Sequence, residues 1–478
     1  MDKTLPFATS IVTALVALIA ALVVFDAFFT RRSRQRLPPG PRPLPFLGNI
    51  HQLPAAEQQK TFTEWGAEYG DIIFAKAFQR PLLILNSSQA AFDLIEKRGL
   101  RYSGRPPFTY MTDTELVGWT AGSAFRMYDD VWKLHRKWYQ HSLIARTALD
   151  SYHPLQRQEA DRMLYDIIQD PADYRHHMKR YVAAITTDDE FIRTIEKGLS
   201  EVMEGAAAGS ACTVTAVVTE CLLPFKQSAA RARAAIRALE DVPYMQVKER
   251  WWFMRCPGTA KASLTRSLIE VTSRAAADEE DEAQIKGAAG ALYTLTVVLM
   301  FVLEMVLHPE VLRRIHNEID SVVGDSRLPD FDDRPSLTYL ECVLREVYRY
   351  ESVWVPHCTT EDDVYRGYHV PKGTMVITNI WAMTRDTQFY DDPEEFRPER
   401  YLELDESESP ELWDPKQLLF GFGRRICPGQ HLADENGREI TPNPAILSGS
   451  VAHPEPFVCD IRPRSEKMRQ MILDNHDA

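Results

Sequence analysis

Apolar residues run almost unbroken from Leu5 to Phe29, interrupted only by small polar side chains and by Asp26 near the end. A stretch of that length can cross a bilayer. Arg31, Arg32, Arg34 and Arg36 follow at once, and a basic flank after a span places that side, with everything beyond it, in the cytosol. A cleaved signal peptide fits less well, because its charges would precede a shorter apolar stretch. The run Leu37-Pro-Pro-Gly-Pro-Arg-Pro-Leu-Pro-Phe-Leu-Gly-Asn49 comes next. Its prolines fix φ and forbid helix, which makes a stiff connector. Beyond it the pattern alternates between helix and short strand. Residues 58–100 hold a helical patch and two strand-like runs, Ile72–Ala77 and Pro81–Asn86. Trp132 and Arg136, four apart on the next helix, point the same way. Residues 150–280 are helical and charge-rich, with an apolar patch at Trp251–Met254, and a long apolar helix runs from about Asp281 to Leu307. Leu340, Val343, Leu344 and Val347 recur at helical spacing. On that helix Glu346 and Arg349 stand three apart and can pair. Tyr365–Thr374 and Met375–Asn379 read as strand, turn and strand.

Composition narrows the reading. The 478 residues are 45% hydrophobic, enough for a large core. A net charge of −13 argues against a nucleic-acid surface. Seven cysteines without paired or C-x-x-C spacing suit a reducing compartment. No zinc-type cluster and no flavin or nicotinamide motif is present.

The chemistry concentrates near the C-terminus, in Phe420-Gly-Phe-Gly423-Arg-Arg425-Ile-Cys427-Pro-Gly429. A single cysteine in a glycine-rich turn, with an arginine two positions before it, is what a thiolate ligand to haem iron requires. Glycines let the backbone approach a flat macrocycle, and backbone N–H groups can tune the sulfur. A cysteine ligand pushes electron density onto iron. A buried structural cysteine in a turn is the plain alternative.

This turn resembles the haem-binding loop of the cytochrome P-450 family of haem-thiolate monooxygenases. The order Glu346-x-x-Arg349, Pro356-His357, Phe396-Arg-Pro-Glu-Arg400, then the cysteine turn, is similar to the family's as well. The resemblance implies a mainly α fold with small β-sheets. It implies three parts: a membrane anchor at 1–30, a basic stop and proline hinge at 31–49, and a haem-thiolate domain at 50–478. It implies haem (iron protoporphyrin IX) as cofactor, with Cys427 as the metal ligand. Trp132, Arg136, His357 and Arg425 would hold propionates, and Phe420, Gly423 and Gly429 would complete the haem loop. Glu346, Arg349 and Arg400 would form a buried triad that locks the loop. The irregular stretch after Tyr102, Val353–Val355 and the late turn Leu447–Ala452 would face substrate. By likeness to fungal microsomal members, the chain would oxidise an apolar small molecule with O2. Electrons would come from an NADPH–cytochrome reductase, with the anchor in lipid of the endoplasmic reticulum and the catalytic domain in the cytosol.

Three places depart from the family pattern. The central helix carries no Asp or Glu between Glu282 and Glu304, and about six residues are missing where the family has an acid and a threonine. Thr296, or Thr294, stands in for the catalytic hydroxyl; a threonine bonded to its own helix is the alternative. After Cys427, Gln430–Asp434 gives barely one turn where the family has a long apolar helix. The connection Cys221–Lys226 is shortened. A second reading follows from these gaps: a fold remnant whose catalysis is impaired or absent.

Overall fold

The computed structural model describes residues 36–54, 57–184, 223–254, 264–273, 279–289, 296–350, 355–403, 410–431, 446–447, 453–454, 459 and 461–477. The expected anchor at 1–30 lies outside them, as do most of Leu447–Ala452 and residues 353 and 354 of the expected pocket edge. Among the described residues no helix is long and apolar enough to cross a membrane.

Helices dominate. In chain order those used below are α1 (Gln58–Tyr69), α2 (Asp130–Tyr139), α3 (Arg146–Gln169), α4 (Tyr174–Ala184), α5 (Leu223–Met254), α6 (Glu279–Ala289), α7 (Thr296–Leu307), α8 (Pro309–Val322) and α9 (Thr338–Tyr350). The expected central helix corresponds to α6 and α7, with residues 290–295 outside the description. Pro309 opens α8, where its missing N–H costs nothing. The main core joins α3, α4, α7, α8 and α9 through Met163, Tyr181, Phe301, Ile315 and Val343. Each such side chain contributes about 1.5–3 kcal/mol on burial.

The strands are β1 (Ile72–Ala77), β2 (Arg80–Leu85), β3 (His357–Cys358), β4 (Asp363–Tyr365), β5 (Tyr368–Val370) and β6 (Met375–Thr378). One sheet has the order β1-β2-β6-β3. β2 and β6 run parallel with Leu83 opposite Val376, and β3 is antiparallel to β6 with His357 opposite Val376. This register carries His357 from the sheet edge into the interior. β4 and β5 form a separate hairpin whose turn is Arg366-Gly367, both at positive φ (49° and 79°). A two-residue turn with both residues left-handed matches the twist of the strands. The strand, turn and strand expected over 365–379 are β5, a turn at Lys372-Gly373 with Gly373 at φ 78°, and β6.

One of the buried charged residues lies on the most apolar helix. Glu304 on α7 is buried and faces Glu346, Arg349 and Arg385, with His308 Nε2 3.6 Å away. Burial, and then the Glu346 charge, push its carboxyl up to about 8. The folded state thus holds this proton where the unfolded chain, with a carboxyl of ordinary acidity, has released it. That difference lowers stability as pH rises from about 4.5 to 8, by a few kcal/mol in order of magnitude. Glu304→Gln is expected to remove this slope, so its melting temperature should overtake wild type progressively across that window. Parallel melting profiles from pH 5 to pH 8, in the window set by the linkage, would show that Glu304 is ionised throughout.

Candidate haem-binding site

The cysteine loop owes its shape to its glycines. Gly421 (φ 80°) and Gly423 (φ 60°) are left-handed, and a Cβ on Gly423 would sit 2.5 Å from the Ile95 carbonyl oxygen. Cys427 N–H donates to the Phe420 carbonyl at 2.8 Å and closes the loop. The Phe420 ring packs edge-on against Tyr348 of α9, 5.7 Å between centroids. Burial pushes the Cys427 thiol up, while the Gly429 N–H and the Arg136 charge pull it down. Burial outweighs the two groups that favour a thiolate, so the sulfur by itself keeps its proton more tightly than an ordinary thiol. A bound metal ion would supply the charge that holds the thiolate.

Beside the loop, cations converge. Arg136 of α2 donates to the Ile426 carbonyl at 2.5 Å. Arg425 donates to the carbonyls of Ser103, Ser123 and Arg126, and its guanidinium lies 4.4 Å from the Trp132 ring centre. Trp132 is fixed in turn by the N-cap of its helix, where Asp129 accepts from the Trp132 N–H at 2.7 Å. His357 is buried and donates from Nδ1 to the Tyr102 carbonyl at 2.8 Å; burial, with Arg105 and Arg425 nearby, holds it well below its ordinary range and therefore neutral.

Arg105 completes this group and was given no role by the sequence. It is 5% exposed and donates to the carbonyls of Ala124, Val355 and Pro356 at 2.7–2.9 Å. Gly104 puts it there by bridging to Cys358, next to His357; a Cβ at Gly104 would meet the Cys358 carbonyl oxygen at 2.6 Å. The only sequence signal was an arginine between that glycine and Pro106-Pro107.

Among the described residues, Arg105, Arg136 and Arg425 donate to carbonyl oxygens and pair with no carboxylate. Burial pulls Arg425 down to about 10 against the pull of Asp129, and pulls Arg105 well below its ordinary value. Arg105 is buried and the other two are half-buried, and guanidiniums withdrawn from water without an anion are costly. Two carboxylates of a bound molecule would meet them, and a haem brings two propionates and an iron that suits the Cys427 sulfur. The residues present fit the group.

The predicted triad meets in space. Arg349 grips Glu346 with two hydrogen bonds, 2.8 and 2.9 Å, and Arg400 reaches the same carboxylate at 3.2 Å. Tyr401 O–H and the Arg397 N–H add to it at 3.0 and 2.9 Å. Arg349 also donates to the carbonyls of Thr384, Pro393 and Glu395. Glu346 and Arg349 are fully buried. Burial alone would lower Arg349, but its bonds to Glu346 hold it above its ordinary value. The triad staples α9 to the 384–401 segment, and α9 carries Tyr348 against Phe420. Thr296 is the first residue of α7, and its side chain lies outside the described set.

Comparison with known proteins agrees with this geometry. The family model for cytochrome P450 matches residues 38–189 and 287–436. A cytochrome P450 monooxygenase 176 of Postia placenta is 38% identical, covering 96% of this chain and 97% of its own length. Tryptamine 4-monooxygenase of Psilocybe cyanescens is 30% identical over 96% of this chain and 99% of its own. In fold, a zebra fish cytochrome P450 with progesterone superposes at a TM-score of 0.69 with 24% identity, covering 85% of this chain and all of its own. The alignment to the Postia protein spans 510 positions against the 478 residues present, so at least 32 positions of that relative face gaps here.

Proposed function

Because this chain belongs to the cytochrome P450 family and is a haem monooxygenase, we propose that it oxidises an apolar small molecule of secondary metabolism with electrons delivered from NADPH by a cytochrome reductase. The observation that carries the site assignment is the group of cations without a carboxylate partner beside Cys427, Arg105 buried and Arg136 and Arg425 half-buried. Cys427 would ligate the iron; Arg105, Arg136, Arg425, Trp132 and His357 would hold the propionates. Bound haem supplies the activation of dioxygen and the transfer of one oxygen atom to substrate. The chain's own contribution is to offset part of the burial cost of an anionic sulfur through the Gly429 N–H and Arg136, to fix the macrocycle's edge, and to hold the loop against α9. Thr296 is assigned the hydroxyl that passes protons toward the oxygen side. An indole skeleton suits the substrate class, since one relative bears the name tryptamine 4-monooxygenase.

The purified chain, with reductase, NADPH and labelled dioxygen, is expected to place one labelled oxygen atom in an apolar product. Product without label would contradict monooxygenation. A second reading is favoured by the gapped alignment and by the acid-free stretch between Glu282 and Glu304: a poorly coupled enzyme, in which NADPH is consumed mostly to reduced oxygen. Peroxide in several-fold excess over product distinguishes it.

We assign the chain to the endoplasmic reticulum membrane as a single-pass protein with its catalytic domain in the cytosol. Leu5–Phe29 and the arginines after it support this. Deleting residues 1–30 is expected to move most of the protein from the carbonate-washed membrane pellet to the supernatant; undiminished pelleting would contradict the assignment.

A further inference from the structure

A buried polar circuit joins α2 to α6, apart from the cations just described. Ser123 Oγ lies 2.7 Å from His135 Nδ1 and 2.8 Å from Tyr139 Oη. His135 Nε2 lies 3.1 Å from Gln284 Oε1, and Tyr139 O–H donates to the Ala288 carbonyl at 2.9 Å. His135 is wholly buried and stacks on Trp138 at 5.4 Å. Each hydroxyl has one hydrogen, which fixes the direction of every bond. The Ala288 carbonyl can only accept, so it takes the Tyr139 hydrogen. Ser123 must then donate to Tyr139, and His135 must donate to Ser123 from Nδ1. Burial, and then Arg126, push the imidazole down to about 4, so the ring is neutral and its Nε2 accepts. The structure places Gln284 Oε1 toward that atom; an accepting Nε2 requires the carboxamide turned end for end, an assignment that such a network decides.

The chain of donors runs Gln284, His135, Ser123, Tyr139, Ala288 carbonyl. It leaves α6 at one residue and returns to it four residues later, after crossing α2 at two positions also four apart. Trp132 and Arg136 sit on that same α2, and the Ser123 carbonyl accepts from Arg425 at 3.4 Å. We propose that His135, as its Nδ1–H tautomer, is a positioning residue that clamps α2 to α6 and so holds Trp132, Arg136 and Arg425 in register for the haem edge. This rests on the haem-site assignment above.

The test uses the haem-loaded full chain. Two quantities are read: the rate of haem transfer to excess apomyoglobin, and the share of the reduced, CO-bound protein in the long-wavelength thiolate band. His135→Phe keeps a buried ring and its stacking but removes both nitrogens. Haem is expected to leave about 10-fold faster, as the loss of a buried hydrogen-bonded pair implies, with part of the thiolate band converted to the shorter-wavelength form. His135→Asn restores a donor near the Nδ1 position and is expected to recover most of both. Tyr139 and Gln284 stand at opposite ends of the circuit, so Tyr139→Phe and Gln284→Leu should be non-additive, the double variant losing haem more slowly than the product of the single effects. That cycle decides the matter if His135→Phe does not fold. Wild-type haem loss and an unmoved band in His135→Phe, or strict additivity in the cycle, would overturn the proposal. Cys427→Ser run in parallel separates the two levels. If it keeps the thiolate band, the haem-site assignment itself is wrong; if it loses the band while His135→Phe is unchanged, only the positioning role of His135 is overturned.

Discussion

Arg349→Ala is expected to yield a chain that accumulates poorly and carries almost no haem. The substitution removes two hydrogen bonds of 2.8 and 2.9 Å from Glu346 and leaves a fully buried carboxylate with Arg400 as its one remaining charged partner. It also frees the carbonyls of Thr384, Pro393 and Glu395. Breaking a buried pair by deleting one partner costs about 3–5 kcal/mol, a large part of a domain's usual margin of about 5–15 kcal/mol. Arg349→Lys should rescue little, since an ammonium cannot supply the fork that meets two oxygens and three carbonyls. Pyridine-haemochrome assay of the purified variant checks this. Haem content equal to wild type would remove the triad from the structural account.

Cys427→Ser is expected to lower turnover to background and to abolish the thiolate band in the reduced, CO-bound spectrum. The serine oxygen fits the loop closed by the Cys427 N–H and the Phe420 carbonyl, so the fold should persist. What changes is the donor. An alcohol stays protonated where the Gly429 N–H and Arg136 could still favour a thiolate, and a protonated hydroxyl donates little electron density to iron. Retained far-ultraviolet structure with a lost band is the expected pair of results. A band at its wild-type position in Cys427→Ser would require a different axial ligand.

These two sites were the most legible parts of the sequence because their determinants are local. A loop with φ of 60–80° at two positions needs glycines there, and a Glu and Arg three apart on an amphipathic helix need no tertiary knowledge to be paired. Arg400 and His357 were reachable only through the order of motifs along the chain. Arg105 and the His135 circuit were not legible. Arg105 reaches its place through a backbone bridge between Gly104 and Cys358, more than 250 residues apart in sequence, and nothing in its neighbours' chemistry announces that pairing. His135 sits beside Arg136, and its role depends on a serine before the helix and on two positions of a helix about 150 residues later. Glu304 shows the reverse limit. Its apolar surroundings correctly marked a buried helix, but the charges that face it come from α9 and from Arg385, so its proton affinity is a property of packing.

The short stretch after Cys427, Gln430–Asp434, bears on how well the haem is held. Among the described residues the triad meets in space, the main core packs, and the cations beside Cys427 are in place. The account therefore holds that the thiolate site assembles in this chain as it stands, whatever its coupling efficiency. The most direct test is the CO difference spectrum of the reduced, full-length protein, combined with a haem-to-protein ratio. The account predicts a long-wavelength thiolate band with haem bound close to one per chain. A chain that folds, as judged by a cooperative melt, yet takes up no haem and shows no such band would contradict it.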